Sequence, residues 1–448
     1  MTTRRMIVIG GVAAGMSAAS QARRLDPQLE IIVFERGEWI SYSACGLPYF
    51  VGGLIPNTNK LVARDVAGFA NMGIDVRLKH QITAIDAQAK VIYGEHQGQP
   101  FSSSYDVLMY ATGARPRQLE IPGADSKGIF NLYTMSDALA IKAFIQERSP
   151  KRAVVIGGGY IGLEAAENLA QLGIQVSVVQ RNAYPFPNLD ANIAELVIAE
   201  LERQHVDLSL SDSVASTCGS NNGYVSCVET RHKTIETDMV LVSIGIQPNS
   251  ELAAAAGARL GVANAVAVDE GQASSLADVY AAGDCATHRH RVSGGSAWVA
   301  LGTTANKQGR VAGTNAGGGT ATFKGIVGTA ISRVFELEVG RTGLSSKEAQ
   351  AAGLEAVEIT VDSTDIAGYY PHAAPLRLKM IAEKGSARLL GVQAAGKGVD
   401  KRIDVAATAL HAGLSIEELA WIDLGYAPPF NSVWDVLHVA ANKLLRDC

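Results

Sequence analysis

The apolar positions near the N-terminus form two short unbroken runs with an alanine-rich stretch between them. Runs of this kind, at residues 6–9 and 31–34, are typical of strands buried on both faces, and the stretch from 13 to 24 has the composition of a helix. Glu35 follows the second run, about 20 positions after the last glycine of the intervening turn. This order predicts a dinucleotide-binding βαβ unit whose turn contains Gly10, Gly11 and Gly15.

The same pattern returns in the middle of the chain. An apolar run at 153–156 precedes a complete G-x-G-x-x-G motif, and a helix to Leu172 and a second run at 175–179 follow. Two such units in the right context predict two different dinucleotides, with the second motif formed by Gly157, Gly159 and Gly162.

The end of the second unit's second strand lacks the usual acid. Gln180 and Arg181 stand where an NAD site usually has a carboxylate, so a 2′-phosphate is not repelled there. Arg181 either pairs with that phosphate or is a solvated surface charge. NADH and NADPH therefore both stay open.

Two further segments that resemble each other, and a C-terminal region, complete the predicted domain organisation. The segments 106–113 (DVLMYATG) and 238–245 (DMVLVSIG) each predict a strand and a small-residue turn that returns the chain to the neighbouring unit. The glycine-rich stretch 313–319 is interpreted as a linker. Beyond it, the strand-like runs AVEITV, LRLKMIA and ARLLGVQAAG precede helices, which indicates a separate α+β domain. The predicted fold class is α/β, with two Rossmann-like domains and this C-terminal α+β domain.

Composition and charge exclude several classes of protein. With 47% hydrophobic and 19% charged residues over 448 positions, the chain is neither disordered nor fibrous. A net charge of -5 gives no general attraction for nucleic acid or an anionic membrane, and no run of 18 apolar residues predicts a membrane span. The glycines that interrupt the first apolar stretch also argue against a signal peptide.

The five cysteines contain no CxxC pair, so we expect neither a disulfide scaffold nor a zinc site, and a cytoplasmic protein with reduced thiols. Three histidines also invite a metal interpretation. No spacing or acidic neighbour supports it, and we expect no metal and surface or turn positions for His288, His290 and His372.

The segment 41–49 (SYSACGLPY) is the most informative in the chain. A lone cysteine is more often a small core residue than a nucleophile. Here, however, Gly46 frees the backbone and Pro48 is suited to the first turn of a helix, which predicts Cys45 near a helix N-terminus where a thiolate is favoured.

Together these segments resemble the pyridine nucleotide-disulfide oxidoreductases, and within them the single-cysteine branch of coenzyme A disulfide reductases, CoA-persulfide reductases and NADH oxidases and peroxidases. The resemblance covers essentially the whole chain through VIGGVAAG, FER, SYSACGLPYF, YATGARP, VVIGGGYIGLEAAE, SIGIQPN, VYAAGDCA, TTANKQGRVAG, DKRID and LGYAPPF. It implies an FAD domain (1–115 and 247–322), an NAD(P)H domain (116–246) and a dimerisation domain (323–448).

The resemblance also implies roles for individual residues. Asp284 would hold the FAD ribityl chain, and Tyr160 would shield the flavin until nicotinamide displaces it. The residues implied to contact FAD are Gly10, Ala14, Gly15, Glu35, Arg36, Ile82, Ala111, Thr112, Gly113, Asp284 and Gly302. Those implied to contact NAD(P)H are Gly157, Gly159, Tyr160, Gly162, Glu164, Gln180, Arg181 and Gly245.

The cysteine count separates the subfamilies. Members with an internal disulfide carry a second cysteine four residues before the first, and that position is Ser41 here. We therefore expect an external partner for Cys45: a mixed disulfide, a persulfide or a sulfenic acid, reduced by NAD(P)H through the flavin. Ser41 is a candidate hydrogen-bond donor beside it. The oxidase branch has a histidine where this chain has Ala13, which favours the disulfide or persulfide branch.

Two further sets of residues point to the substrate. The helix end at Gln21 and Arg24 resembles one that contacts coenzyme A, although Ala44 replaces the asparagine common before the cysteine. Tyr370 and Tyr426 match motifs whose tyrosines approach the cysteine of the other subunit, with Tyr426 as a proton donor. The resemblance thus implies a homodimeric reductase of CoA-derived sulfur. The alternatives are an NADH oxidase or peroxidase, and a redox-sensing flavoprotein that acts by binding a partner.

Overall fold

The computed structural model describes residues 4–220 and 222–448, so the first three residues of the predicted FAD domain and Asn221 lie outside it. The chain begins with β1 (Arg5–Ile9), α1 (Ala13–Leu25), β2 (Glu30–Glu35), α2 (Leu47–Val51), α3 (Val66–Ala70), β3 (Ile74–Leu78), β4 (His80–Asp86), β5 (Val91–His96), β6 (Gln99–Ser104), β7 (Val107–Tyr110) and β8 (Ala114–Pro116).

The middle segment contains β9 (Ile129–Asn131), α4 (Met135–Arg148), β10 (Arg152–Ile156), α5 (Tyr160–Gln171), β11 (Gln175–Gln180), α6 (Ala191–Arg203), β12 (Asp207–Leu210), β13 (Val214–Gly219), β14 (Val225–Thr230), β15 (Thr234–Glu236), β16 (Met239–Val242) and β17 (Ile246–Pro248). The chain then returns to the first unit through α7 (Glu251–Ala255), β18 (Val279–Ala281), β19 (His288–Arg289), β20 (Ser296–Ala297) and α8 (Gly302–Ala316).

The C-terminal unit contains β21 (Ala330–Val334), β22 (Leu337–Gly343), α9 (Ser346–Ala351), β23 (Ala356–Thr364), β24 (Pro375–Glu383), β25 (Leu389–Gly396), α10 (Val399–Ala412), α11 (Ile416–Ala420) and α12 (Val436–Leu444). Its sheet is antiparallel, in the order β21-β22-β25-β24-β23. The three strand-like runs predicted there coincide with β23, β24 and β25, so the α+β expectation is confirmed.

The two nucleotide units are built on the same plan. The first has a parallel sheet in the order β18-β7-β1-β2-β3, and the second has β9-β16-β10-β11-β12. In each unit the central strand is buried along most of its length, as a parallel sheet covered on both faces requires. The antiparallel pair β8 and β17 carries the chain out of the first unit and back, which confirms the predicted return turns. Two three-stranded antiparallel sheets, β4-β5-β6 and β13-β14-β15, were not anticipated.

The interpretation of residues 313–319 as a linker is wrong, because α8 continues to Ala316. Its glycines permit a close crossing with α1. A Cβ added at Gly309 would lie 2.3 Å from the carbonyl oxygen of Ala14, and one at Gly313 would lie 2.3 Å from that of Ala18. The small residues therefore hold α8 against the first nucleotide unit.

Two other expectations are corrected by the fold. Cys218 and Cys227 face each other on β13 and β14 and are joined in a disulfide, so the thiols are not all reduced. His288 and His290 are buried rather than on the surface, whereas His372 is an exposed turn residue as expected. None of the helices in the described ranges has the length and apolarity that crossing a bilayer demands.

Candidate active site

A single connected cavity of about 2990 Å³ runs between the two nucleotide units and reaches the C-terminal unit. Pockets for one small ligand typically measure about 300–1,000 Å³, so this cavity has room for two dinucleotides and a substrate. The carboxyl ends of both parallel sheets open into it, which is where α/β folds bind ligands.

The two glycine-rich loops enter the cavity in the same way. The amide of Gly10 donates to the carbonyl of Phe34 (2.9 Å), and the amide of Gly157 donates to that of Val179 (2.8 Å). Both glycines have positive φ, and a Cβ at either would lie 2.2 Å from a carbonyl oxygen of the neighbouring strand turn. Only glycine fits these positions. Each loop leads into a helix, so that backbone N–H groups lie at the N-terminus of that helix.

Two predicted glycines support these loops from behind. A Cβ on Gly15 would lie 1.9 Å from the carbonyl oxygen of Gly10, and one on Gly162 would lie 2.0 Å from that of Gly157. Neither lines the cavity. Their role in the structure is close packing of helix against loop rather than contact with a ligand.

Most of the other predicted nucleotide residues line the cavity. On the first unit's side these are Gly10, Ala14, Glu35, Arg36, Ile82, Ala111, Thr112, Gly113, Asp284 and Gly302. On the second unit's side they are Gly157, Gly159, Tyr160, Glu164, Gln180, Arg181 and Gly245. The structure therefore brings both predicted sets to one space.

The first unit has the donor set expected of an FAD site. The carboxylate of Glu35 is fixed by the amides of Gly11 (2.8 Å) and Gly37 (2.7 Å) at the end of β2. Asp284 is half-buried, and its desolvation raises the pKa of its carboxyl, while the hydroxyl of Tyr133 donates to it at 3.4 Å. A glycine loop that excludes any Cβ, a fixed carboxylate and a half-buried carboxyl fit a dinucleotide with ribose and ribityl hydroxyls.

Sequence reasoning missed several residues that build this side. Tyr133 also accepts the amide of Ala114, and the indole of Trp298 donates to the Asp284 carbonyl at 2.8 Å. Asn249 joins the two return turns, since its carbonyl accepts the hydroxyls of Tyr110 and Thr112. Only Asn249 had a signal, because it ends the quoted SIGIQPN segment.

Cys45 lies in a short 3₁₀ turn, residues 44–46, and α2 begins two residues later. The predicted helix after the cysteine is thus confirmed, and the thiol is exposed in the cavity wall. The expected preference of Cys45 for the thiolate form is not confirmed. Burial raises the pKa of the Cys45 thiol, and the carboxyl groups of Glu164 and Asp284 raise it further. Burial, the largest cause, and the two acids together hold the pKa above its ordinary value although α2 begins beside the cysteine.

Ser41 lies beside the first loop and also lines the cavity. It adopts a positive φ of 48°, and its backbone is fixed by bonds to Gly11 and Ala63. No hydrogen bond of its hydroxyl to another described residue is present. Its predicted role as a donor to Cys45 stays a prediction.

Glu164 is the acid nearest in sequence to the second loop and faces Cys45 from α5. Burial raises its pKa to about 7, against the lowering effect of the Ser332 hydroxyl, which donates to Glu164 Oε1 at 3.1 Å. Ser332 belongs to β21, so the C-terminal unit contributes to this wall. A carboxyl with a pKa near neutrality can hold or release a proton at working pH.

Tyr160, the first residue of α5, closes the other side of the site. Its ring packs against Phe186 at a centroid distance of 4.7 Å, and burial raises its pKa to about 12. The hydroxyl therefore stays protonated. The ring lines the cavity, and its predicted role as a shield of the flavin stays a prediction.

The predicted substrate residues are only partly assembled within one chain. Arg24 lines the cavity and Gln21 does not, although their side chains meet at 3.3 Å. Tyr370 and Tyr426 lie on the C-terminal unit, away from the cavity wall, and both are exposed. Cations not predicted from the sequence, Arg64, Lys307 and Arg310, also line the cavity.

Comparison with known proteins agrees with this arrangement. Residues 4–309 match the pyridine nucleotide-disulphide oxidoreductase family, and residues 329–437 match the dimerisation domain of that family. The chain is 36% identical to an NAD(P)H sulfur oxidoreductase (CoA-dependent) of Pyrococcus furiosus over 445 residues, 99% of this chain and 100% of that protein.

Two other similar proteins bear on the activity. The chain is 33% identical to an NADH oxidase of Methanocaldococcus jannaschii, over 99% of each chain. The solved structure of an NAD-dependent persulfide reductase from A. fulgidus superposes with a TM-score of 0.95 at 39% identity, covering 99% of this chain and 83% of that one.

Proposed function

Because the chain belongs to the pyridine nucleotide-disulphide oxidoreductase family, we propose that it is an FAD-dependent NAD(P)H reductase of sulfur bound to coenzyme A, either a disulfide or a persulfide. The observation that carries the proposal is Cys45, exposed where the walls of both nucleotide units meet, with Ser41 in place of a second cysteine. The relatives named for sulfur and persulfide reduction support it.

Glu35, Asp284 and the loop at Gly10 would hold FAD, and the loop at Gly157 with α5 would hold NAD(P)H. Bound FAD would supply the two-electron redox chemistry that links a hydride donor to a sulfur acceptor. The chain's own contribution is to fix the two dinucleotides, to cover the second site with Tyr160 and to present Cys45 to the cavity.

A single cysteine is sufficient for reduction of the sulfur substrate. The Cys45 thiolate attacks one sulfur of a CoA disulfide, an S–S bond forms between Cys45 and one CoA, and the other CoA leaves as a thiolate. Two electrons then cleave the mixed disulfide to give Cys45 thiolate and a second CoA thiolate. With a persulfide, the departing group is hydrosulfide. Each leaving thiolate needs a proton, which Glu164 is placed to hold.

Coenzyme A recognition rests on charge. The cavity wall contains Arg24, Arg64, Lys307 and Arg310, although the net charge of the whole chain is -5. Positive charge is therefore supplied locally at this wall. CoA carries several phosphate charges, and guanidinium groups bind phosphate oxygens in pairs. The Nη1 atom of Arg24 donates to Gln21 Oε1 at 3.3 Å.

We also propose that the enzyme is a homodimer. The C-terminal unit exposes several large aromatic side chains, and the hydroxyls of two of them, Tyr369 and Tyr426, meet at 3.2 Å; the exposed aromatic residues are Tyr369, Tyr370, Trp421, Tyr426, Phe430 and Trp434. Exposed large aromatic residues of this kind mark interfaces. A partner seated on this surface would bring Tyr370 and Tyr426 towards Cys45 of the other chain, which explains why one chain alone leaves them apart from the cavity.

The second candidate is an NADH oxidase, and the relative from Methanocaldococcus jannaschii favours it. Ala13, the first residue of α1, lines the cavity where the oxidase branch has its histidine. A methyl group cannot donate or accept a proton in oxygen chemistry. For this reason sulfur reduction is the better supported function.

The deciding experiment measures NAD(P)H turnover with CoA disulfide and with CoA persulfide for the purified flavoprotein and for C45S. We expect C45S to lose turnover with both substrates, while C448S, which removes the half-buried cysteine at the C-terminus, keeps it. Full turnover by C45S contradicts the proposal. Oxygen consumption as fast as sulfur reduction supports the oxidase instead.

A further inference from the structure

The two nucleotide units contain an internal comparison that bears on the hydride donor. Glu35 ends β2 and Gln180 ends β11, at equivalent positions after the strand residues that accept from Gly10 and Gly157. Each side chain accepts the amide of the next glycine in its loop: Gly11 donates to Glu35 Oε2 at 2.8 Å, and Gly158 donates to Gln180 Oε1 at 3.3 Å.

Gln180 therefore accepts a loop amide in the same way as Glu35 does, but it has no negative charge. Its amide group is buried, and its Nε2 donates to the carbonyl of Tyr184 at 3.3 Å, so both ends are used. A carboxylate at this position binds a ribose 2′-hydroxyl and repels a 2′-phosphate. The neutral amide removes the repulsion and keeps the loop in place.

The next residue supplies a positive charge. Arg181 is exposed, lines the cavity, and within the described parts of the chain takes part in no ion pair or hydrogen bond. Its backbone is held from both sides, because the amide of Ser211 donates to the Asn182 carbonyl at 3.0 Å and that of Asp212 donates to the Gln180 carbonyl at 3.1 Å. A fixed backbone with a free guanidinium fits a phosphate ligand.

One acid also lines this part of the cavity. Asp212 is 3% exposed, and its Oδ1 accepts the amides of Ser213 (2.8 Å) and Arg231 (3.1 Å). Burial alone would raise its pKa, but these bonds and one from Thr230 outweigh burial and hold the pKa below its ordinary value. Among the described residues, Asp212 forms no ion pair with Arg181, and two backbone amides occupy its Oδ1.

From this juxtaposition we infer that the hydride donor is NADPH rather than NADH, with Arg181 binding the 2′-phosphate and Gln180 admitting it. The inference rests on the proposed function, because it takes the second unit as the site of the pyridine nucleotide. It selects one of two donors that the glycine motif alone leaves open.

The direct test measures binding of adenosine 2′,5′-bisphosphate and of AMP to the purified flavoprotein by calorimetry. A charge-assisted hydrogen-bonded contact of this kind is worth roughly tenfold to a hundredfold in affinity. We expect the bisphosphate to bind at least about tenfold tighter than AMP, and R181A to remove that preference. Equal binding of the two probes by the unmodified protein overturns the inference.

The second measurement is anaerobic stopped-flow reduction of the flavin by NADPH and by NADH. Q180E, which restores the acid found in the first unit, should lower the NADPH-to-NADH rate ratio by about a hundredfold. K151A removes a charge at the opposite end of the same sheet and should leave the ratio unchanged. An NADH preference in the unmodified protein, or an unchanged ratio in Q180E and R181A, contradicts the inference.

These outcomes are separable from those of the proposed function. Neither probe binding nor flavin reduction involves the sulfur substrate. If NADPH reduces the flavin but no CoA substrate turns over, the proposed function fails and the donor assignment stands. If CoA substrates turn over with NADH but not with NADPH, the donor assignment fails and the proposed function stands.

Discussion

Replacement of Arg402 by methionine should destabilise the C-terminal unit and disorder its tyrosine loops. Arg402 comes from the DKRID segment, and its side chain is 3% exposed. Its Nε bonds Asp435 Oδ2 at 3.0 Å, and its two terminal nitrogens bond the carbonyls of Gly398 (2.9 Å) and Asp365 (2.7 Å) and Asn431 Oδ1 (3.1 Å). Four partners depend on one guanidinium.

The magnitude follows from burial. Asp435 is 1% exposed, so loss of Arg402 leaves a buried charge without its partner, which costs about 3–5 kcal/mol. The roughly 126 residues from 323 to 448 unfold with an entropy of about 0.26 kcal/mol/K at the transition. The midpoint of that transition should therefore fall by roughly 11–19 °C.

The assay is differential scanning calorimetry of the flavoprotein, with the C-terminal transition followed separately. R446M, which removes an exposed arginine of the same unit, should shift the midpoint by less than about 2 °C. Pairing R402M with D435L should recover part of the loss, because it removes the stranded charge as well. A fall of less than about 4 °C in R402M, equivalent to about 1 kcal/mol, would refute the reasoning.

Two further predictions concern the cysteine and the dimer surface. At pH 8 the Glu164 carboxylate, with a pKa of about 7, is mostly ionised and raises the pKa of Cys45. E164Q should therefore speed the alkylation of Cys45 by iodoacetamide several-fold below pH 9. Well above the pKa of the thiol, the two proteins should react at the same rate. An unchanged rate at pH 8 contradicts this prediction. Trp434 is 54% exposed, and W434D should raise the dimer dissociation constant about 30-fold or more in sedimentation equilibrium. A dimer of unaltered affinity would remove that face from the interface.

The nucleotide units could be predicted from the sequence because their signals are local. Each needs only an apolar run, a glycine turn and a helix within about 30 residues, and the strands over 152–156 and 175–180 lie within one residue of the predicted runs. The close approach at Gly10 and Gly157 is likewise fixed by neighbouring backbone. Pattern and structure agree where the determining contacts are short in sequence.

Contacts between segments that are distant in the sequence were not predicted, because no local pattern indicates them. Tyr133 meets Asp284 across 151 positions, and Ser332 meets Glu164 across 168. The helix α8 illustrates the same limit in another form. Its glycines are compatible with a flexible linker, and only the presence of Ala14 and Ala18 opposite them makes small side chains a packing requirement.

The raised thiol pKa of Cys45 shows why a local motif was insufficient to predict reactivity. Gly46 and Pro48 did predict the helix that follows the cysteine, and that helix alone would favour a thiolate. Burial of the thiol acts against it most strongly, and Glu164 and Asp284, from two other parts of the chain, add to that effect. An ionised Glu164 opposes the Cys45 thiolate, and because the pKa of Glu164 is about 7, this opposition weakens as the pH falls below neutrality.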